Sequence, residues 1–292
     1  MDTQARLAQI AAELRDIGPV IDIQRTPALY APLHAADPAA VDIARDVPYG
    51  PDARHRLDVF TGSAGHGSEA LLPLVAFVHG GGFRGGAKFT EGSPFYDNVG
   101  RWGAMHGCIG ITVNYRLAPQ FPFPAGSQDM QRLVQHLRHH ARGYGGDPDR
   151  IFLWGHSAGA GHVARFVADS ARPEIAGAIL TSGIYDTTLE GVAARWGVYY
   201  GTDVALYPGM SSLPGLLRTV TPLLVTWAGL DRADFIIDSE RLVAARAAAG
   251  RPLDHVLLPG HSHLSEIYGV GTADTSLTGP VLQFIQRTGK SS

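Results

Sequence analysis

The stretch Gly155-His156-Ser157-Ala158-Gly159 has the pattern G-x-S-x-G, in which a serine stands between two glycines. A short apolar run, residues 151–154, precedes it, and a segment compatible with a helix, residues 160–169, follows it. A strand that turns sharply into a helix strains the serine backbone, and side chains two positions away would collide with the turn. The pattern therefore predicts a turn that exposes the Ser157 oxygen and points the Ala158 N–H toward a forming oxyanion. Because the chain contains 36 glycines, the pentapeptide alone also allows a chance match.

The composition is that of an ordinary globular protein. Of the 292 residues, 45% are hydrophobic and 17% are charged, which is enough apolar material for a well-filled core. This length allows one large α/β domain or two small ones. The net charge is −3 and no run of like charge occurs, so we expect no nucleic-acid partner and no anionic membrane partner. The single cysteine, Cys108, lies in an apolar run and predicts a buried, inert thiol.

The N-terminal segment predicts an arm outside the main fold. Residues 1–17 indicate an amphipathic helix that Gly18 and Pro19 end, without the apolar region of a signal peptide. Residues 19–40 are rich in proline and alanine and predict an irregular arm or part of a cap. Since no apolar stretch approaches the length of a membrane span, we expect a cytoplasmic protein.

Strand and helix patterns alternate along the rest of the chain. Residues 41–47 and 56–60, joined by turn residues, indicate an antiparallel hairpin at a sheet edge. Further strands are predicted at 74–78, 109–114, 151–154, 176–180, 223–227 and 255–258, and helices at 95–106, 125–142, 158–169, 235–249 and 278–287. This alternation predicts an α/β fold, with a mostly parallel twisted sheet and helices on both faces.

We expect one domain over residues 1–292, because the sequence contains no internal repeat and no clean linker. The arm, residues 1–40, and an insertion rich in aromatic residues, 183–218, would together form a small cap. Residues 61–70, rich in glycine and serine, predict a surface loop. In parallel sheets ligands bind beyond the carboxyl ends of the strands, and Ser157 follows such an end.

A second glycine-rich stretch, His79-Gly80-Gly81-Gly82-Phe83, directly follows the predicted strand 74–78. Without a Cβ, glycine backbone can approach a substrate oxygen closely, and acyl transfer needs about two N–H donors aimed at the oxyanion. Gly81 and Gly82 are the candidate donors, together with Ala158. A phosphate-binding loop is not indicated, because Lys88 falls outside the required spacing. A purely structural glycine turn remains open.

An acid and a base are expected after the serine, on the loops that follow two later strands. Asp231 follows the predicted strand 223–227, and Asp234 is the weaker candidate because it suits the first turn of a helix. His261 and His263 follow the strand 255–258. We favour His263, because the preceding Pro-Gly turn must first bring the chain over the site.

A zinc site at these two histidines is the alternative to a catalytic base. We do not expect a metal at His261 and His263, because no third ligand stands at a recognisable spacing and the serine would be left unexplained. The sequence therefore predicts no metal and no organic cofactor.

Taken together, four motifs resemble the α/β-hydrolase fold, and within it the hormone-sensitive-lipase-like carboxylesterases. They are His79-Gly80-Gly81-Gly82-Phe83; Asn114-Tyr115-Arg116-Leu117-Ala118-Pro119 with Phe123-Pro124-Ala125 and Asp129; Tyr144-Gly145-Gly146-Asp147-Pro148; and Gly155-His156-Ser157-Ala158-Gly159. The resemblance covers residues 41–287. It implies that Ser157 is the nucleophile, His263 the base and Asp231 the acid, and it implies esterase activity on a small-molecule ester. It also implies that a homodimer can form.

The chain departs from that family's pattern in the acidic loop. Many relatives have Asp-Pro-Leu there, whereas this chain has Asp231-Arg232-Ala233. The stretches 231–235 and 263–267 are more similar to the small-cap branch that includes arylformamidases, so an aryl formamide is the alternative substrate class. A non-catalytic binding protein on the same fold is the alternative of another class, and the intact set of Ser157, Asp231 and His263 argues against it.

Overall fold

The computed structural model describes residues 3–34, 41–62, 70–170 and 173–289. Within these ranges the strands are β1 (Val41–Pro48), β2 (Arg56–Gly62), β3 (Leu72–Val78), β4 (Ile109–Val113), β5 (Gly146–His156), β6 (Gly177–Thr181), β7 (Leu223–Ala228) and β8 (Asp254–Leu258). The α-helices are α1 (Thr3–Ile17), α2 (Arg25–Tyr30), α3 (Asp97–Met105), α4 (Ala125–His140), α5 (Ala158–Asp169), α6 (Val192–Tyr200), α7 (Tyr207–Met210), α8 (Leu213–Arg218), α9 (Ala233–Ala248), α10 (Ser265–Tyr268) and α11 (Thr278–Thr288). Among the described residues, no helix has both the length and the apolar character that a membrane crossing requires.

The eight strands form one sheet in the order β1-β2-β4-β3-β5-β6-β7-β8. β2 is antiparallel to both β1 and β4, and every other neighbouring pair is parallel. The predicted mostly parallel sheet, with an antiparallel hairpin at one edge, is therefore confirmed. Because parallel strands end at the same side of the sheet, the loops after β3, β5, β7 and β8 lie close together.

Strand β3 shows why the central strands are continuous apolar runs. Leu74, Ala76 and Val78 belong to a core cluster that α4 and α5 complete, whereas Val75 and Phe77 belong to a second cluster completed by α3 and α11. Successive side chains of a strand point to opposite faces, so a strand that is covered on both faces must be apolar at every position. Helices on both faces of the sheet were predicted, and this is confirmed.

Two predictions of local structure were wrong, and one short helix was missed. β5 begins at Gly146 rather than at 151, because pairing of Gly146 with Leu72 overrides the local turn chemistry. The arm, predicted to be irregular, contains α2, where Tyr30 is buried against side chains of α1. The short helix α10 was not predicted. Residues 35–40 of the arm and 63–69 of the predicted loop lie outside the described residues.

The turn between β5 and α5 requires glycine on both sides of Ser157. A Cβ on Gly155 would lie 2.5 Å from the Ala160 Cα, and a Cβ on Gly159 would lie 2.1 Å from the Val78 carbonyl oxygen. Both distances are far inside van der Waals contact, and backbone atoms cannot move aside cheaply. The two glycines therefore let β5 turn into α5 while it stays packed against β3.

We expect Gly159→Ala to lower the free energy of unfolding by about 3 kcal/mol, because the new methyl group overlaps the β3 backbone. Urea denaturation measures the change. Gly143→Ala is the matched control: a Cβ there meets nothing within 4 Å, so we expect a change within about 0.5 kcal/mol. Equal effects of the two substitutions would show that the strand yields to the methyl group.

The segment 183–218 forms a helical layer that α9 holds in place. The carboxyl group of Asp238, on α9, accepts the backbone N–H groups of Tyr185 (2.7 Å) and Asp186 (3.2 Å). Further along the segment, the aromatic side chains of α6 pack together with Phe83 and Phe235. The position of α6 thus depends in part on a single buried carboxyl group.

Burial raises the pKa of Asp238 to about 7 against the two backbone N–H hydrogen bonds from Tyr185 and Asp186, which lower it; the charge of Asp186 adds to the rise and that of Arg241 opposes it. The folded protein therefore binds a proton that the unfolded chain, with an aspartate pKa of about 3.9, releases. This contribution to stability is present below pH 4 and is lost as the pH rises through 7.

We expect Asp238→Asn to remove this pH dependence. Between pH 5 and pH 8 the wild type should lose about 2 kcal/mol of unfolding free energy that the variant keeps. Urea denaturation at the two pH values measures the difference, and Asp149→Asn, at an exposed aspartate, is the control. Parallel curves for wild type and Asp238→Asn would contradict the assignment of this proton to Asp238.

Candidate active site

Three side chains from three loops meet at the carboxyl edge of the sheet. The Oγ of Ser157 lies 2.9 Å from Nε2 of His263, and Nδ1 of His263 lies 2.9 Å from Oδ2 of Asp231. A carboxylate can only accept, so Nδ1 carries the proton and Nε2 accepts the hydrogen bond of the serine hydroxyl. All three residues are buried. The structure thus brings together the serine, histidine and aspartate that the sequence singled out.

The backbone at Ser157 is strained in a way that fixes its side chain. Its φ of +56° and ψ of −122° lie in a region that residues other than glycine rarely adopt. Two bonds hold the residue there. Its N–H donates to the Thr181 carbonyl of the neighbouring strand, and its own carbonyl accepts the N–H of Gly161 in α5. The hydroxyl is therefore presented at the tip of the turn.

Asp231 is held by Arg232, the residue that stands where many relatives have the proline of Asp-Pro-Leu. The backbone N–H of Arg232 donates to Oδ1 of Asp231 at 2.7 Å, while Oδ2 is left for His263. A proline at position 232 would lack this N–H. Asp234, the weaker candidate for the acid, lies in the first turn of α9 and pairs with Arg232 and Arg195 instead of with a histidine.

His261 occupies a separate polar cluster and does not reach Ser157. Its Nδ1 lies 3.1 Å from the Ser265 hydroxyl, and its Nε2 lies 3.0 Å from both the Ser276 hydroxyl and Asp274. Its hydrogen bond holds the pKa of Asp274 well below the usual range. The histidine favoured on the sequence, His263, is thus the one that contacts the serine.

In the loop formed by residues 79–82, the backbone N–H groups of Gly81 and Gly82 point outward. The Gly80 carbonyl accepts a hydrogen bond from Nδ1 of His79 at 2.6 Å, and the Gly81 carbonyl accepts from the N–H of Gly85 at 3.0 Å. In a trans peptide the C=O and the following N–H point in opposite directions. The N–H groups of Gly81 and Gly82 therefore point away from these internal acceptors.

These two N–H groups and that of Ala158 have no acceptor among the described residues. Ala158 begins α5, where the first N–H of a helix has no partner in the helix. The loop lies against the serine: a Cβ on Gly80 would be 3.0 Å from the Ser157 Cβ. The arrangement provides free N–H donors beside the hydroxyl.

Aromatic rings flank the site: Trp196 comes from the aromatic-rich segment 183–218, whereas Phe235, on α9, was given no role from the sequence. The Phe235 ring packs against the His263 imidazole at 4.3 Å between centroids. A Cβ on Gly82 would lie 3.3 Å from the Trp196 ring, so this indole borders the glycine loop. The Arg232 guanidinium lies over both rings. The surroundings of the serine are therefore largely apolar and flat.

Two further buried groups behind the serine were missed on the sequence. Nε2 of His156 donates to the backbone carbonyl of His263 at 2.8 Å, which fixes the loop that carries the base. Burial and the nearby His263 hold the pKa of His156 well below its ordinary value, so its ring is neutral. Glu266, on α10, lies 3.5 Å from the same nitrogen. The G-x-S-x-G pattern leaves its second position free, so it gave no signal for His156.

Ligand atoms of His156, His263 and Glu266 lie within 4.8 Å of one another. Both ring nitrogens of His263 are already engaged, by Ser157 and by Asp231. A metal ion bound here would have to break one of these two hydrogen bonds.

Comparison with known proteins gives consistent similarities. A family model described as the alpha/beta hydrolase fold matches residues 75–266. Carboxylesterase NlhH from Mycobacterium tuberculosis is 31% identical over 212 residues, which cover 70% of this chain and 56% of that protein. The match thus spans little more than half of the length of this relative.

Solved structures share the fold over nearly the whole chain. Esterase B from Lactobacillus rhamnosis has a TM-score of 0.75 at 19% identity, with 99% of this chain and 96% of that chain covered. An esterase from the bacterial hormone-sensitive lipase family has a TM-score of 0.70 at 22% identity, with 99% of each chain covered. At these identities the likeness concerns the fold alone.

Proposed function

The chain belongs to the α/β-hydrolase fold family, and on that premise we propose that it is a carboxylesterase acting through a serine acyl-enzyme. The family match covers the four sequence motifs, and it confirms the resemblance drawn from them. The observation that carries the proposal is the continuous chain of hydrogen bonds from Ser157 through His263 to Asp231. Free backbone N–H groups lie beside it, as ester hydrolysis requires.

In the first step the Ser157 oxygen attacks the ester carbonyl while Nε2 of His263 takes the hydroxyl proton. The carbonyl oxygen becomes an oxyanion that the N–H groups of Gly81, Gly82 and Ala158 stabilise. His263 then gives the proton to the leaving alcohol, and the carbon–oxygen bond breaks. Asp231 keeps the proton of His263 on Nδ1 and stabilises the imidazolium without taking a proton.

In the second step water replaces the alcohol. His263 takes a proton from the water, whose oxygen attacks the acyl carbon, and the same N–H groups hold the second oxyanion. Collapse of this intermediate returns the proton to Ser157 and releases the carboxylic acid. No step requires a metal or an organic cofactor.

We propose short-chain or aryl esters as the substrate class. The Trp196 ring borders the oxyanion glycine Gly82, and the Phe235 ring borders the base. Flat apolar surfaces of this kind favour a short acyl chain or an aromatic ring next to the reacting carbonyl. We also propose that the arm, residues 1–40, and the segment 183–218 form a cap over the site.

Turnover of p-nitrophenyl acetate and p-nitrophenyl butyrate tests the proposal, with N-formylkynurenine run in parallel. We expect hydrolysis of both esters and covalent labelling by a fluorophosphonate. A much higher kcat/KM on the formamide would make the protein an arylformamidase. Absence of both turnover and labelling would remove the hydrolase function and leave the binding protein as the alternative.

A further inference from the structure

Glu266 is a buried carboxyl group that the mechanism above does not use. It lies on α10, three residues after the base, and its side chain is fully buried. Neither carboxyl oxygen has a hydrogen-bond partner among the described residues. An ionised carboxylate in that position would be a buried charge without compensation, which proteins strongly disfavour.

The groups around Glu266 do not supply a positive charge. His156, at the end of β5, is 3.5 Å away, but it is neutral and its only N–H is donated to the His263 carbonyl. Ser182, which follows β6, is uncharged, and its hydroxyl lowers the pKa of Glu266 by less than burial and Asp231 raise it. Among the described residues, the other titratable groups that act on Glu266 or lie beside it are His263 and the carboxylate of Asp231.

Asp231 is the neighbour that most strongly favours the protonated form of Glu266. Burial first, and then the negative charge of Asp231, raise the pKa of Glu266 well above its usual range. When two carboxyl groups share a buried site, like-charge repulsion keeps one of them protonated. Asp231 is the member better held as an anion, because it accepts the N–H groups of Arg232 and His263.

We propose that Asp231 and Glu266 form a pair of carboxyl groups that carries one negative charge, with Glu266 as the protonated positioning residue and reserve acid of His263. This rests on the proposed function, because it assigns Asp231 as the acid of the triad. A carboxyl oxygen of Glu266 lies within 4.8 Å of a ring nitrogen of His263. A charge on Glu266 would therefore still stabilise the imidazolium, although less well than Asp231 at 2.9 Å.

The pair makes a specific prediction about substitutions at both positions. In Asp231→Asn the like charge is gone, so Glu266 can ionise and take over part of the stabilisation of the imidazolium. In the wild type the same residue is neutral, so its amide isostere disturbs little except local packing. Replacing Glu266 should therefore lower kcat more in the Asp231→Asn background than in the wild type.

A double-mutant cycle on p-nitrophenyl acetate measures this coupling. We expect Glu266→Gln to lower kcat by about threefold in the wild type and by about tenfold or more in Asp231→Asn. The pH profile of Asp231→Asn should contain an ascending limb from the ionisation of Glu266, and that limb alone should disappear in the double variant. Equal factors in the two backgrounds would show that the carboxyl groups act independently, and the proposal would be wrong.

Infrared difference spectroscopy tests the protonation state without any substrate. The wild type minus Glu266→Gln spectrum at pH 7 should contain the C=O stretching band of a protonated carboxylic acid. Glu240→Gln, at an exposed glutamate on α9, is the control and should show only the loss of carboxylate bands. If Glu266→Gln also shows only that loss, the proposal fails. This result holds whether or not the wild type hydrolyses esters, so it separates failure of the pair from failure of the proposed function.

Discussion

Replacing Ser157 with alanine is expected to lower kcat for p-nitrophenyl ester hydrolysis by about 10⁶-fold. The hydroxyl oxygen forms the covalent bond to the acyl group, and no other described nucleophile lies within hydrogen-bond distance of His263 Nε2. The residual rate should come from the oxyanion donors and from substrate binding alone. Initial rates at saturating substrate, together with fluorophosphonate labelling followed by mass spectrometry, measure the effect.

Ser127→Ala is the control for this substitution. Ser127, in α4, is also buried, but its hydroxyl donates to the Pro124 carbonyl and not to a side chain of the site. We expect this variant to keep full labelling and a kcat within about threefold of the wild type. Retention of label or of turnover in Ser157→Ala would show that another residue is the nucleophile.

The second large effect is expected for His263→Ala, which should lower kcat by about 10⁶-fold near neutral pH. Without the imidazole, the serine hydroxyl has no base to accept its proton, and Asp231 is left buried and without its partner. Loss of base function affects the chemical step more than the binding of substrate. We therefore expect kcat to fall much more than KM changes.

His261→Ala provides the matched control, because the two histidines are separated by one residue. His261 bonds Ser265 and Ser276 rather than Ser157, so its loss should lower the free energy of unfolding by about 1–3 kcal/mol. We expect kcat/KM to change less than about tenfold. If His261→Ala were the inactive variant and His263→Ala the active one, the assignment of the base would be reversed.

The local patterns of this chain predicted most of its architecture. The apolar run of β3, the alternation of strands and helices and the turn at Ser157 all follow from interactions within short stretches, and the structure contains each of them. Predictions failed where a distant segment overrides local preference. β5 begins early because Gly146 pairs with Leu72, and α2 forms where Tyr30 packs against α1.

The sequence predicted the part of the candidate site that a short stretch of chain decides by itself. Gly155, Gly159 and the serine between them form a recognisable pattern, because the turn itself demands them. Glu266 and Phe235 left no such pattern. Phe235 meets His263 from α9, and Glu266, although only three residues after His263, also meets His156 at the end of β5, so no spacing rule records these contacts.

The sequence by itself determined the fold family, the sharp turn at Ser157 and the two loops on which we expected an acid and a base. These features depend on short-range chemistry, namely the steric demands of a tight turn and the order of strands in a parallel sheet. The sequence favoured His263 over His261, but only the tertiary structure shows which of the two contacts Ser157. The tertiary structure also joined Arg232 N–H to Asp231, and placed a second carboxyl group behind the site. Which groups form a hydrogen bond depends on differences of a few tenths of an ångström in the distance between loops. The packing of the whole sheet sets these distances.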